Sequence, residues 1–195
     1  AQSFTVVDPA DLPDADLTDN LCLSSAGTCT LRAALQQANA IAAPFTLITV
    51  LKGDYQLTIP AGAPDPGCTA GTCMIAEEND AAVGDLDIYC AVCIQGQHRD
   101  YVTIRGGGEV GRVFDVHPIA PNARIKEVVI RDLTVSDGYA PAFSGLDPLT
   151  INSGSPSTMA MEGCESGQDA CSGGAIRNEQ GPQDLYLQQV ILSGN

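Results

Sequence analysis

The chain has 195 residues and 44% hydrophobic content, with a net charge of −15 from nine Lys and Arg against 24 Asp and Glu. That is enough apolar sequence for one domain with its own core. So few basic residues exclude clustered phosphate neutralisation, and with it nucleic acid and anionic lipid as partners; no run approaches the about 20 apolar residues of a membrane helix.

The chain opens on Ala1-Gln2-Ser3 without Met, which reads as a mature N-terminus left by signal-peptide cleavage or as a trimmed longer chain. Phe4-Thr5-Val6-Val7 reads as an extended strand, and an Asp-rich segment fills the rest of 1–29. Asp8, Asp11, Asp14, Asp16 and Asp19 crowd one loop, and Glu77, Glu78, Asp80, Asp85 and Asp87 crowd a second. Carboxylates this dense repel one another unless a cation or water screens them. Two readings stand: calcium on hard oxygen ligands, without an EF-hand pattern, or a solvated acidic surface.

Residues 30–40 predict a helix. Leu31, Ala34, Leu35 and Ala38 form a helical stripe, Thr30 is placed to cap the start, and Asn39 to stop it. Lying directly before the first strands, it is expected to cap a sheet end and cover an edge open to pairing. Leu47–Leu51 and Tyr55–Ile59 follow as strands.

Downstream, Val128–Gly138 aligns without gaps on Leu185–Asn195, with apolar residues coinciding at Val128/Leu185, Ile130/Leu187, Leu133/Val190 and Val135/Leu192. The i, i+2 spacing is strand alternation. The shift of three in the middle predicts a corner, at Arg131-Asp132 and at Gln188-Gln189. A fainter copy, Tyr101–Gly106, places Val102 over Val128 and Ile104 over Ile130. Such a repeat implies a solenoid in which each unit buries its apolar face on the next. The expected fold is therefore all-β, a right-handed parallel β-helix with a short N-terminal capping helix. It is read as one domain, 1–195: Asp-rich segment 1–29, capping helix 30–40, coils 44–138, an inserted loop 139–172, and a final coil 173–195. With nothing after Asn195 to act as a lid, a strand edge is expected to stay open.

Eight cysteines fall in four close pairs: Cys22/Cys29, Cys68/Cys73, Cys90/Cys93 and Cys164/Cys171. Local pairs suggest four disulfides and an oxidising compartment. Two rival readings remain open, a four-Cys zinc site from Cys68, Cys73, Cys90 and Cys93, and a redox motif at Cys90–Cys93.

Taken together these residues resemble the bacterial CSLREA domain. The resemblance is carried by Phe4-Thr5-Val6, the Asp-rich stretch, Cys22, Cys29-Thr30-Leu31-Arg32-Ala33-Ala34 and Ala38-Asn39. It continues in Gly84–Ile88, Val102–Gly106, Arg112–Val116, Gly173–Asn178 and the closing Leu192–Asn195. Thr30 stands where the signature has Ser, and Ala33 where it has Glu. The resemblance implies a secreted or surface-exposed parallel β-helix and no agreed chemistry.

Catalysis has few candidates. Arg105 and Arg131, read as stacked one coil apart, lie near Asp115, His117 and Asp132 in sequence and could serve a polysaccharide lyase or hydrolase. The negative surface opposes a polyuronate substrate, and five Tyr, four Phe and no Trp offer few sugar-stacking platforms. No catalytic residue is assigned. The leading expectation is a secreted structural protein that self-associates head-to-tail into a filament or surface subunit, through Phe4, Thr5 and Val6 at one end and Leu185, Leu187, Val190 and Leu192 at the other. The alternatives are an adhesin-like module cut from a longer surface protein, binding a surface glycan or protein through 139–172, and the polysaccharide enzyme.

Overall fold

The computed structural model describes residues 1–41, 43–60, 81–107, 112–117, 119, 126–138, 175–178 and 184–194. In chain order the described elements begin with β1 (Gln2–Val6), α1 (Leu31–Ile41), β2 (Thr46–Val50), β3 (Gly53–Gln56), β4 (Leu86–Ile88), β5 (Val92–Gly96) and β6 (Val102–Arg105). They continue with β7 (Phe114–Val116), β8 (Glu127–Arg131), β9 (Thr134–Ser136), β10 (Ile176–Asn178), β11 (Asp184–Gln188) and β12 (Ile191–Ser193).

The strands make three parallel sheets, ordered β1-β2-β5-β8-β11, β4-β7-β10 and β3-β6-β9-β12. Alternation decides which side chains go inside. Phe4, Val6, Ile48, Val50, Val92, Ile94, Val128 and Ile130 project from the first sheet into one core. Tyr55, Val102, Ile104 and Val135 from the third sheet join them, with Leu86, Ile88, Phe114 and Val116 from the second.

The helix belongs to this core. Thr30 starts it as expected, accepting the Ala33 N–H on Oγ1 at 3.2 Å while its own hydroxyl donates to the Leu12 carbonyl at 2.6 Å. Eight residues, Leu31 to Ala38, are buried, and the helix packs against β1, β2 and β4.

The expectation of an all-β right-handed parallel β-helix is corrected by this arrangement. The described residues form three parallel sheets with a single short helix built into their core, an α/β-like arrangement, and no β-helical solenoid is traced through them. The segments 61–80, 108–111 and 139–174, which would carry such a path, lie outside the described residues. The physical reason is that alternation specifies a strand's faces and not the route between strands. An amphipathic helix buried along most of its length also contributes core that a strand repeat cannot anticipate.

The strong repeat survives as strand register. Leu185 lies beside Val128, Leu187 beside Ile130 and Leu192 beside Val135. Its corners survive too: Asp132 and Gln189 turn the chain with φ of 57° and 53°, and the closing Asp137 and Gly194 with 58° and 67°. The left-handed backbone strains most side chains and suits Asp, Asn and Gly. Gly96 sits under the Asp132 corner so closely that a Cβ there would stand 2.3 Å from the Asp132 carbonyl oxygen.

The fainter repeat is corrected. Val128 pairs with Val92, and β6 pairs with β3 and β9, so Val102 does not lie over Val128, and Arg105 and Arg131 belong to different sheets. A Val-x-Ile-Arg match contains alternation and no corner, and alternation alone carries no register.

Candidate functional site

Two features stand out, a buried row of charges and an open sheet edge. The row comes from three short strands with one pattern, apolar–charged–apolar or apolar–charged–polar: Leu86-Asp87-Ile88, Phe114-Asp115-Val116 and Ile176-Arg177-Asn178. Register sets Asp87 beside Asp115, and Asp115 beside Arg177. All three are buried, as is His117 just past β7. Arg177 grips Asp115 with two donors, Nε to Oδ1 at 2.8 Å and a terminal nitrogen to Oδ2. His117 Nε2 lies 2.6 Å from Asp87 Oδ1 and 3.8 Å from Asp115 Oδ2. The second oxygen of Asp87 accepts the Ala81 N–H at 2.8 Å. Tyr89 stacks on the imidazole, centroids 4.3 Å apart and planes 8° from parallel.

Neighbouring buried carboxylates repel and are costly unless cationic partners sit against them. Arg177 supplies that cation here, and His117 lies within hydrogen-bond distance of Asp87. Asp85 feels the same environment: burial first, then Asp87 and Asp115, push its carboxyl up to about 7, against the pull of Arg112.

Next to this row, α1 and the Asp-rich segment close one side of the sheets. Asn39 acts as a substitute strand at β4, donating Nδ2–H to the Asp87 carbonyl at 2.9 Å and accepting the Tyr89 N–H on Oδ1 at 3.0 Å. Arg32 is fully buried. It donates to both oxygens of Asp11, and to the carbonyls of Ala81 at 2.9 Å, Gly84 at 2.8 Å and Asp85 at 3.3 Å. Asp11 Oδ2 in turn accepts the N–H groups of Thr58 and Ile59, at 2.7 and 2.9 Å.

The remaining acids of the first loop serve the loop itself. Asp8 accepts from the Ala10 N–H, Asp14 from Asp16, Asp16 from Thr18, and Asp19 from Leu21, a series of turns closed two residues on. Bonding to Thr28 and Ala10 lowers the Asp8 carboxyl, and bonding to Thr18 lowers that of Asp16. Asp8, Asp11, Asp14, Asp16 and Asp19 are therefore spread along their loop, with Asp11 buried under Arg32. Among the described residues, the group that brings metal-ligand atoms together is Asp87, Asp115 and His117. Glu77, Glu78 and Asp80 of the second acidic loop lie outside the described residues.

Of the expected disulfides, Cys22–Cys29 is formed, with Cα atoms 5.0 Å apart. Cys90–Cys93 is corrected: both thiols are free and buried. Cys90 lies in the bend before β5 and Cys93 within β5. Cys90 joins the core, where burial pushes its thiol up to about 12. Burial also raises Cys93, with Arg131 opposing. Buried thiols raised in this way do not make a redox pair. Cys68, Cys73, Cys164 and Cys171, and with them the zinc alternative and the 139–172 insertion, lie outside the described residues.

The enzyme candidates separate. Arg105 is half-exposed and bonded to Asp54 at 2.8 Å and Asp137 at 2.9 Å. Arg131 bonds to Gln95 at 2.6 Å and lies 4.0 Å from Asp132. Asp115 and His117 are buried among their own partners, so the five face no common groove.

Among the described residues, β11 and β12 are the outermost strands of their sheets, with no described strand beyond them. Val128, Ile130 and Val135 are fully covered, whereas Leu185 and Leu187, beside the first two, are only partly buried and Leu192, beside Val135, is 39% exposed. Val190 is partly buried, and Tyr186 and Ile191 are 45% and 40% exposed. The other expected association segment is placed differently. β1 pairs with β2, and Phe4 and Val6 are buried in the chain's own core, leaving Thr5 exposed. An amphipathic strand finds an apolar face at home before it finds a partner.

Comparison with known proteins returns no matching family model, no matching curated protein and no matching solved structure. Among the described residues no helix is long and apolar enough to cross a membrane.

Proposed function

We propose that this chain is a secreted, non-enzymatic structural protein that associates through the β11–β12 edge, with a second copy of the same chain as occupant. The observation that carries this is the change from complete cover at Val135 to 39% exposure at Leu192, one strand further out. Exposed apolar side chains on strands that have one paired neighbour among the described residues make a pairing edge. In a chain of net charge −15, residues 184–194 carry one charged side chain, Asp184, so two copies meet there with little repulsion. Head-to-tail growth needs two open edges, and the β1–β4 side is occupied by α1 and the Asp-rich segment. The geometry therefore favours the same edge meeting itself, an isologous dimer, over a filament. The Cys22–Cys29 disulfide and the likeness to the CSLREA domain support a secreted setting.

Sedimentation of the 195-residue protein over a range of concentrations tests this against the double variant Tyr186→Lys/Leu192→Lys. A concentration-dependent dimer that becomes a monomer in the variant, at unchanged melting temperature, is expected. A wild-type monomer at every concentration overturns the reading. So does a longer form of the chain whose added residues cover this edge. Growth beyond the dimer would overturn the isologous geometry and restore head-to-tail stacking.

A further inference from the structure

We propose that Asp87, Asp115 and His117 bind a divalent first-row transition-metal cation, with zinc as its representative. One carboxylate oxygen each of Asp87 and Asp115 and one ring nitrogen of His117 lie within 4.8 Å of one another, and all three residues are buried. Two separations are known individually, 2.6 Å and 3.8 Å from the imidazole nitrogen. A tetrahedral zinc with bonds near 2.1 Å holds its ligand atoms about 3.4 Å apart. These values bracket that spacing, so a cation enters with side-chain shifts of less than about 1 Å.

The ligands are also held from behind, as metal ligands usually are. Asp87 is fixed through its other oxygen by the Ala81 N–H. Asp115 is held by Arg177 on both oxygens, Oδ2 included, which leaves that oxygen's second lone pair for an ion. The imidazole plane is set by Tyr89, and its backbone N–H is tied to the Ile88 carbonyl at 3.0 Å. None of the three ligands has to be ordered by the ion, which removes much of the entropic cost of binding.

The donor set selects the ion class. One imidazole with two carboxylates suits zinc, manganese or iron(II). Calcium needs six to eight oxygens, and an imidazole nitrogen is a poor ligand for it. The charges agree: two buried carboxylates sit side by side, and a divalent ion offsets them together with Arg177. This site is not the one that the Asp-rich segment suggests, and it is independent of whether the β11–β12 edge pairs.

The test uses the 195-residue protein, stripped with chelator and titrated calorimetrically with zinc chloride. One zinc per chain and a raised melting temperature are expected, with no shift from calcium chloride. His117→Gln and Asp87→Asn should each weaken binding at least tenfold. His98→Ala, which removes the one other histidine, should leave it unchanged. Because a buried substitution can compromise folding, the wild-type protein carries a second readout. Zinc should shift the side-chain 15N resonances of His117 and leave those of His98 in place. Absence of binding, binding that persists in His117→Gln, or a shift at His98 alone each overturns the site.

Discussion

The two sides of the sheets end in opposite ways. At β1–β4 the chain supplies its own cover, and the cover does more than shield apolar surface. Asn39 gives β4 a donor and an acceptor, Asp11 satisfies two N–H groups after β3, and Arg32 joins Asp11 to three carbonyls. At β11–β12 the described residues supply no comparable cover, and Leu192, Ile191 and Tyr186 lie exposed. An edge is closed by giving its backbone groups partners, and apolar cover alone does not achieve this. Where those partners are present the acids are structural; where they are absent the apolar side chains are available for association.

The comparison can be broken most forcefully at Arg32. Arg32→Met should cost about 3–5 kcal/mol, because it leaves Asp11 as an uncompensated buried charge and three carbonyls without donors. A fall in the urea midpoint large enough to abolish the cooperative transition near room temperature is the expected result. A loss below about 1 kcal/mol, the range of a surface ion pair, would mean that the closed side is not held this way.

Asp85 gives the next effect. Its folded carboxyl, at about 7, lies above its ordinary 3.8, so the folded state binds this proton more tightly than the unfolded chain does. The contribution favours folding below about pH 4, is lost progressively up to about pH 7, and is flat beyond, amounting to about 2–4 kcal/mol. Denaturation curves of Asp85→Asn, taken with chelator present, should lose that slope. A slope identical to wild type would assign the pH dependence elsewhere.

Asn39→Ala is smaller, about 1–3 kcal/mol, since it strands one carbonyl and one N–H at β4. Hydrogen exchange should then accelerate first at Tyr89, ahead of the β8 and β9 amides. At the open edge, Leu192→Lys should change monomer stability by no more than about 0.5 kcal/mol. A strongly destabilised monomer would make this leucine core, and the contrast between the two sides would disappear.

Several of these features are legible in the residues alone. The Thr30 cap acts within four residues of itself. The 128–138 and 185–195 match spans both strands and the bend between them, so it carries register, and Asp132 and Gln189 turn where the spacing shifts. The match of Val102–Arg105 to Val128–Arg131 lacked a bend and misled for that reason. The charged row also carries a signal in the residues alone. A charge at the centre of Leu86–Ile88, Phe114–Val116 and Ile176–Asn178 marks three equivalent strands, and an opposite sign in the third marks the partner of the second.

Local physics therefore settled what each segment of this sequence is: the faces of the strands, the positions of the corners, the start of the helix and the short disulfide loop. Those depend on alternation, on φ and on groups a few residues apart. Tertiary structure alone decided which segments are neighbours. Asp87 meets His117 across 30 residues and Asp115 meets Arg177 across 62, and Arg32 closes an edge whose carbonyls lie 49 to 53 residues away. Parallel strands are joined by connections whose length no local pattern encodes. The partners of a buried charge are accordingly set by the packing of the sheets and helix.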